Sequence, residues 1–282
     1  MKKMLELRNH MQIPTIGFGT YKSTQARDIK EFEDAIRAGN RYFDTASFYG
    51  NEEKLGSVLN ASNLPRESFQ IASKVWKEEM GYENTLNACK ASLKRLQMNY
   101  IDVYLVHWPK ADIQDENWKV KLLDTWKAME ECYEAGLVKA IGVSNFLPHH
   151  LDVIMEKAKV QPMINQLEFH PGYIQAEAVL YSQKNDIVVQ AWSPLGRTKL
   201  FEDPLLVELA EKYQVSVAQI CLRFAIQQQV MPLPKSSNYE RMLNNLDVFH
   251  FEIQEEDMER IQKMPQTGWS GEHPDRERVK FL

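Results

Sequence analysis

The run Ile101-Asp102-Val103-Tyr104-Leu105-Val106-His107 is apolar at nearly every position and ends on an imidazole. Two runs upstream share its form: Tyr42-Phe43-Asp44, with Tyr49 just beyond it, and Gln70-Ile71-Ala72-Ser73-Lys74. Short continuous apolar runs suit strands buried on both faces, and such strands belong to parallel sheets. Parallel strands bring their C-terminal ends to one side. A carboxylate, a phenol, an ammonium and an imidazole would therefore meet at one end of one sheet, which is a set competent for proton transfer.

On both sides of these runs, strand and helix patterns alternate without a linker. A strand is expected near Thr15-Ile16-Gly17, followed through Phe18-Gly19 by a helix from Asp28, a reasonable N-cap, to Ala38, with Gly39 as its stop. After the Tyr42–Asp44 strand come a helix near Glu52–Leu59, the Gln70–Ser73 strand, a helix over Tyr82–Leu96 and the Ile101–Val106 strand. The rhythm continues with a helix around Leu122–Ala135, strand Ala140–Val143, helix His150–Ala158, strand Met163–Gln166, helix Ala176–Gln183 and strand Ile187–Ala191. A helical region from Pro204 to Gln228, a strand at Met231–Leu233 and a helix over Tyr239–Leu246 complete it. Eight strands with right-handed crossovers predict an α/β chain forming a closed (β/α)8 TIM barrel, with residues 1–282 as one domain. Leu5–Ile13 reads as a β-hairpin on the barrel floor, Glu255–Met264 as an extra helix, and Pro265 to Leu282 as a tail rich in charge and turn residues.

Composition agrees with a soluble enzyme. Of 282 residues, 44% are hydrophobic and 26% charged, and the net charge of −5 offers no field for nucleic acid. No apolar stretch is long enough for a membrane span and the N-terminus lacks a cleavage pattern, so a cytoplasmic monomer is expected. Cys89, Cys132 and Cys221 lack metal-site spacing and read as reduced structural residues; His149-His150 reads as a solvated helix start, and no metal is expected.

A Rossmann nucleotide site would need G-x-G-x-x-G, but Gly17-Phe18-Gly19-Thr20-Tyr21-Lys22 lacks the third glycine. Phosphate recognition is suggested instead by Pro234-Lys235-Ser236-Ser237-Asn238 and Arg241, which follow the eighth strand and open a helix. A lysine, two hydroxyls and an arginine favour an additional phosphate over a free ribose hydroxyl.

Six segments, in order, resemble the motifs of the aldo-keto reductases: Phe43-Asp44-Thr45-Ala46-Ser47-Phe48-Tyr49-Gly50-Asn51-Glu52, Ser73-Lys74-Val75-Trp76, Val106-His107-Trp108-Pro109, Gly142-Val143-Ser144-Asn145-Phe146, Asn165-Gln166-Leu167-Glu168-Phe169-His170-Pro171 and Pro234-Lys235-Ser236-Ser237. The likeness runs from Gly17 to about Asp257 and is strongest to the bacterial branch that includes diketogluconate and glyoxal or methylglyoxal reductases. It implies NADPH-dependent reduction of small aldehydes or 2-oxo carbonyls to alcohols. Tyr49 would be the general acid, Lys74 would draw its pKa down, Asp44 would hold the lysine, and His107 would position the carbonyl oxygen.

By the same resemblance Ser144, Asn145 and Gln166 would bind the nicotinamide carboxamide, and Trp192 would stack on that ring. Gly19, Thr20, Asp44, Ser193, Leu195 and Gly196 would border the nucleotide, Lys235, Ser236 and Arg241 would meet the adenosine phosphate, and Asn244 and Asn245 the adenine. Tyr21, Phe48, Trp76 and Trp108 would join Tyr49 and His107 around the substrate, with Trp269 of the tail as a further cover. Tyr21 stands where some relatives have tryptophan, which weakens any transfer of substrate identity. Two other readings remain at this point: a regulatory module that keeps barrel and nucleotide, and a phosphate-substrate isomerase or aldolase on the same barrel.

Overall fold

The computed structural model describes residues 4–23 and 29–280. Two short antiparallel strands come first, β1 (Met4–Glu6) and β2 (Gln12–Pro14). The alternation then begins with β3 (Phe18–Gly19), α1 (Lys30–Ala38), β4 (Tyr42–Asp44), α2 (Glu52–Ala61), β5 (Gln70–Val75), α3 (Tyr82–Leu96) and β6 (Val103–Val106). It continues through α4 (Trp118–Glu134), β7 (Ile141–Ser144), α5 (Pro148–Met155), β8 (Ile164–Glu168), α6 (Ala176–Lys184) and β9 (Val188–Trp192). The last elements are α7 (Pro204–Tyr213), α8 (Val217–Gln227), β10 (Val230–Pro232), α9 (Tyr239–Leu246) and α10 (Glu255–Gln262).

Among the described residues, β3 to β10 form an eight-stranded sheet in sequence order, every neighbouring pair parallel. The ends meet. Gly17 N donates to Pro232 O and Gly19 N to Pro234 O, each at 3.1 Å, which closes the (β/α)8 barrel between its last strand and its first. Glycine suits that seam, because a Cβ on Gly19 would stand 2.8 Å from the Leu233 carbonyl oxygen.

Strand alternation explains the interior. Tyr42, Ala72, Val103, Leu105, Ile164, Met231 and Leu233 pack into one cluster inside the barrel, with Leu7 and Ile13 of the hairpin segment beneath. Their neighbours Phe43, Ile71, Val75, Tyr104, Val106, Ile141 and Val143 face the helices in a separate cluster. With a period of two, the positions following the interior residues upward are Asp44, Lys74, His107, Gln166 and Trp192, all on the inside and all toward one end.

Two expectations shift. Pairing of the first strand begins at Phe18 against Phe43 rather than at Thr15, because Gly17 already donates across the seam. The helical region from Pro204 divides in two: Gln214 turns left-handed (φ 56°), and Ser216 starts a new helix by accepting from Gln219 N at 3.2 Å while its own N–H donates to the Gln219 side chain at 3.0 Å. Asp28, expected to cap α1, lies outside the described residues. Among those residues no helix is long and apolar enough to cross a membrane.

Candidate active site

Lys74 is fully buried, and its ammonium is saturated by acceptors: both Asp44 carboxylate oxygens at 2.8 Å, Thr45 O at 2.9 Å and Tyr49 Oη at 3.4 Å. Strand β4 supplies Asp44, the turn after it supplies Tyr49, and β5 supplies Lys74. Asp44 is itself held from two sides. Its carbonyl accepts from Thr20 N and Oγ1, and its Oδ1 accepts from Gln166 Nε2 at 2.7 Å. The other Gln166 amide hydrogen goes to Gln190 Oε1 at 3.0 Å, so the Gln166 carbonyl oxygen is the polar atom it can offer to a ligand.

Burial lowers the pKa of Lys74, against the opposing pull of Asp44. The phenol of Tyr49 is pushed well above its ordinary value, first by burial and then by the Asp44 charge. The sequence-based expectation of a phenol drawn down by Lys74 therefore does not describe the resting site. Asp44 grips the ammonium with both oxygens and cancels much of its field at Tyr49, so desolvation wins. His107 is pushed well below the usual imidazole range by burial, then by Lys74 and Lys77. Its Nδ1 is buried with no partner among the described residues. A bare lone pair is cheaper to bury than a bare N–H, which favours the neutral tautomer that carries its proton on Nε2.

Tyr49, His107 and Asp44 open into a cavity of about 490 Å³. Its aromatic end is packed edge to face and face to face: the Tyr49 ring lies 5.0 Å from Tyr21 and 5.8 Å from His107, His107 lies 4.9 Å from Trp76, and Phe48 stacks on Trp76 at 3.9 Å. Trp108 completes that end. The cavity continues past Ser144, Asn145, Gln166 and Trp192 to Ser193, Leu195, Gly19 and Lys235. The Trp192 indole N–H donates to Asn145 Oδ1 at 2.8 Å, which fixes the tilt of the ring. Asn145, Ser193, Arg197 and Thr198 line the wall with positive φ angles of 64°, 49°, 53° and 71°, backbone strain concentrated where the loops converge.

Other expected residues stand apart from this cavity's lining. The Thr20 hydroxyl is spent on Asp44, and the Ser236 hydroxyl is spent within its own turn on Asn238. Arg241 and Asn244 are exposed on α9, Asn245 is buried there, and Gly196 packs on Leu200. Trp269 does not wall the pocket as expected: its ring stacks on Tyr173 at 5.8 Å, and the tail residue that reaches the cavity is Glu272. Sequence reading missed Glu272, Lys22 and Arg197 as wall residues. Lys22 and Arg197 both lie in loops just beyond strand ends, which was the available signal.

At the start of α5, read from sequence as a solvated helix start, His150 is instead buried, and a cluster of metal-ligand type stands there. His149, His150 and Asp275 bring ligand atoms within 4.8 Å of one another. Its atoms are already engaged. Leu147 N donates to His150 Nδ1 at 3.1 Å, which leaves Nε2 protonated toward Asp275 at 3.0 Å, and Lys110 binds the same carboxylate at 2.5 Å.

Residues 15–265 match the model of the aldo/keto reductase family. The chain belongs to this family. It is 41% identical over 276 residues to a glyoxal reductase of Bacillus subtilis (strain 168), covering 98% of this chain and 97% of that one. It is 37% identical to aldo-keto reductase family 1 member A1 of Gallus gallus, covering 90% and 86%. Among solved structures, an aldo/keto reductase from Brucella melitensis superposes with a TM-score of 0.86 at 39% identity, covering 92% of this chain and 98% of that one. As an aldo/keto reductase the protein is an oxidoreductase of the carbonyl-reducing class, in a family that works with nicotinamide cofactors.

Proposed function

We propose that this aldo/keto reductase uses NADPH to reduce small aldehydes and 2-oxo carbonyls to alcohols, with Tyr49 as the proton donor. The observation that carries the reading is the buried Asp44–Lys74 pair with Tyr49 Oη 3.4 Å from the ammonium, opening with His107 into one cavity. NADPH, when bound, supplies the hydride that reduces the carbonyl carbon. The residues suit such a nucleotide: the Gln166 carbonyl oxygen faces the amide requirement of a carboxamide, the Trp192 ring offers a stacking surface, and Lys22, Arg197 and Lys235 string positive charge along the wall. Ser144 and Asn145 complete the carboxamide end, and Ser193 and Leu195 border the middle. Lys235 would meet the additional phosphate, with Ser236 and Arg241 beyond it.

Tyr49, protonated because burial raises its pKa, gives its proton to the carbonyl oxygen as negative charge develops there. Lys74 then faces the tyrosinate left behind, and the bidentate contact to Asp44 keeps the ammonium charged and aimed. His107, neutral with its proton on Nε2, donates a hydrogen bond to the same oxygen, a preorganised donor where charge appears. Tyr21, Phe48, Trp76 and Trp108 offer the carbonyl substrate an aromatic wall.

The test is to follow NADPH absorbance with glyoxal, methylglyoxal and an aromatic aldehyde, with NADH in parallel. Oxidation with at least one of these carbonyls is expected. Tight nucleotide binding without turnover on any of them would favour a regulatory module, and no nucleotide binding would overturn the reading.

A further inference from the structure

Beside the proposed phosphate corner stands a carboxylate. Glu31, in the first turn of α1, holds Oε1 2.8 Å from Lys235 Nζ. The same oxygen accepts from Ser23 Oγ at 3.1 Å, and Ser23 is buried at the end of the turn that begins at Thr20 and contains Lys22, its N–H donating to Thr20 O at 2.9 Å. The carboxylate is only 12% exposed and the lysine 35%, and Lys235 lines the cavity while Glu31 stands behind it. The lysine offered to a ligand is thus already paired with an anion fixed from its far side.

We infer that Glu31 sets the nucleotide preference of the site, as a resident anion that competes with a phosphate monoester for Lys235. This rests on the reading of Lys235 given above. A nucleotide with an additional phosphate brings about two negative charges to an ammonium whose other neighbour is a carboxylate, so part of the attraction is offset by repulsion between the anions. A nucleotide with a ribose hydroxyl at that position brings no charge and meets no such repulsion. The Glu31 charge therefore narrows the gap between the two nucleotides. The site tolerates NADH more than its lysine and arginine alone would predict.

The experiment titrates the full chain, Glu31→Gln and Lys235→Met with NADPH and NADH, reading tryptophan fluorescence. The ratio Kd(NADH)/Kd(NADPH) should rise by about three- to tenfold in Glu31→Gln and fall in Lys235→Met. Glu31→Ser, which removes the same charge, should move the ratio in the same direction and serves if the glutamine variant does not fold. An unchanged or lowered ratio on loss of the Glu31 charge, with Lys235→Met still lowering it, overturns the role of Glu31 and leaves the phosphate assignment standing. No change in Lys235→Met overturns that assignment and this inference together.

Discussion

At Tyr49 the resting site and the reaction pull in opposite directions. Burial and Asp44 make the phenol a reluctant acid, while Lys74 stands 3.4 Å away to receive the charge once the proton leaves. Replacing Tyr49 with phenylalanine removes the proton donor but leaves Lys74 its two contacts to Asp44 and one to Thr45. We expect Tyr49→Phe to lower turnover by at least ~10² with NADPH affinity changed less than about twofold, checked by steady-state kinetics and fluorescence titration. Comparable turnover in the folded variant would remove Tyr49 from the acid role. The pKa directions also fix a pH profile. An acid works while protonated, so a Tyr49 pKa raised above the ordinary 10.0 keeps it active through alkaline pH, and a His107 pKa lowered below 6.5 keeps that ring neutral down into acid. kcat/KM for reduction should therefore vary by less than about twofold between about pH 6 and pH 9. A limb near the ordinary imidazole pKa would show His107 charging in the working range. Asp44, Lys74 and His107 were legible in the sequence as the polar ends of short apolar runs, whereas Gln166 and Trp192 were legible only through the family resemblance. The sign of the Tyr49 shift was not, because it depends on how completely Asp44 occupies the ammonium, a matter of tertiary packing.

At the scale of the element, α5 shows how a helix start became a joint. Pro148-His149-His150 announces a helix N-terminus, and Pro148 does occupy the first position. Its sequence does not show that His150 is buried, with Nδ1 accepting from Leu147 N and Nε2 donating to Asp275 more than a hundred residues away. Burial lowers its pKa to about 4, with Asp275 pulling the other way. Below the unfolded value near ~6.5 the unfolded chain takes a proton that the native ring refuses, so stability is fully present above that pH and falls as pH drops toward about 4. The loss from this one group totals about 3 kcal/mol. Urea midpoints at pH 7 and pH 4.5 should show His150→Asn losing roughly 2 kcal/mol less than the parent across that interval. Equal losses would mean that His150 is protonated in the native state. The capping pair Ser216 and Gln219 was, by contrast, fully local, and the division between α7 and α8 could have been read from it. Strand and helix existence was legible from periodicity. Boundaries moved by a few residues because hydrogen-bond register across the barrel, not propensity, sets where each strand begins.

At the scale of the molecule, the cavity is walled by the two ends of the sequence together: Tyr21 and Lys22 from the loop after β3, Glu272 from the tail. The tail is anchored at Glu168, the last residue of β8, whose buried carboxylate accepts from Ser270 N at 2.9 Å and Ser270 Oγ at 2.6 Å. Trp269 stacks on Tyr173 beside that anchor, and Asp275 is gripped by Lys110, His149 and His150. A turn-rich, charged tail gives no periodicity to read, so its docking was legible only as a large aromatic in a polar stretch, and the residue delivered to the cavity was not legible at all. Deleting the chain after Pro265 strips Glu168 of both Ser270 hydrogen bonds, a loss of about 2 kcal/mol or roughly 4 to 8 °C in Tm. It also opens the substrate end, and relative kcat/KM between small and aromatic aldehydes should shift by roughly tenfold, about 1.4 kcal/mol of transition-state discrimination. Glu272→Gln separates the two effects, since it keeps the Ser270 anchor and removes the charge at the cavity together with a half-exposed ion pair to Arg278 at 3.2 Å, which contributes little to stability. A shift in substrate ratios without a fall in Tm is expected for that variant. Unchanged ratios in both proteins would leave the tail as a buttress for Glu168, with substrate choice resting on Tyr21, Phe48, Trp76 and Trp108 alone.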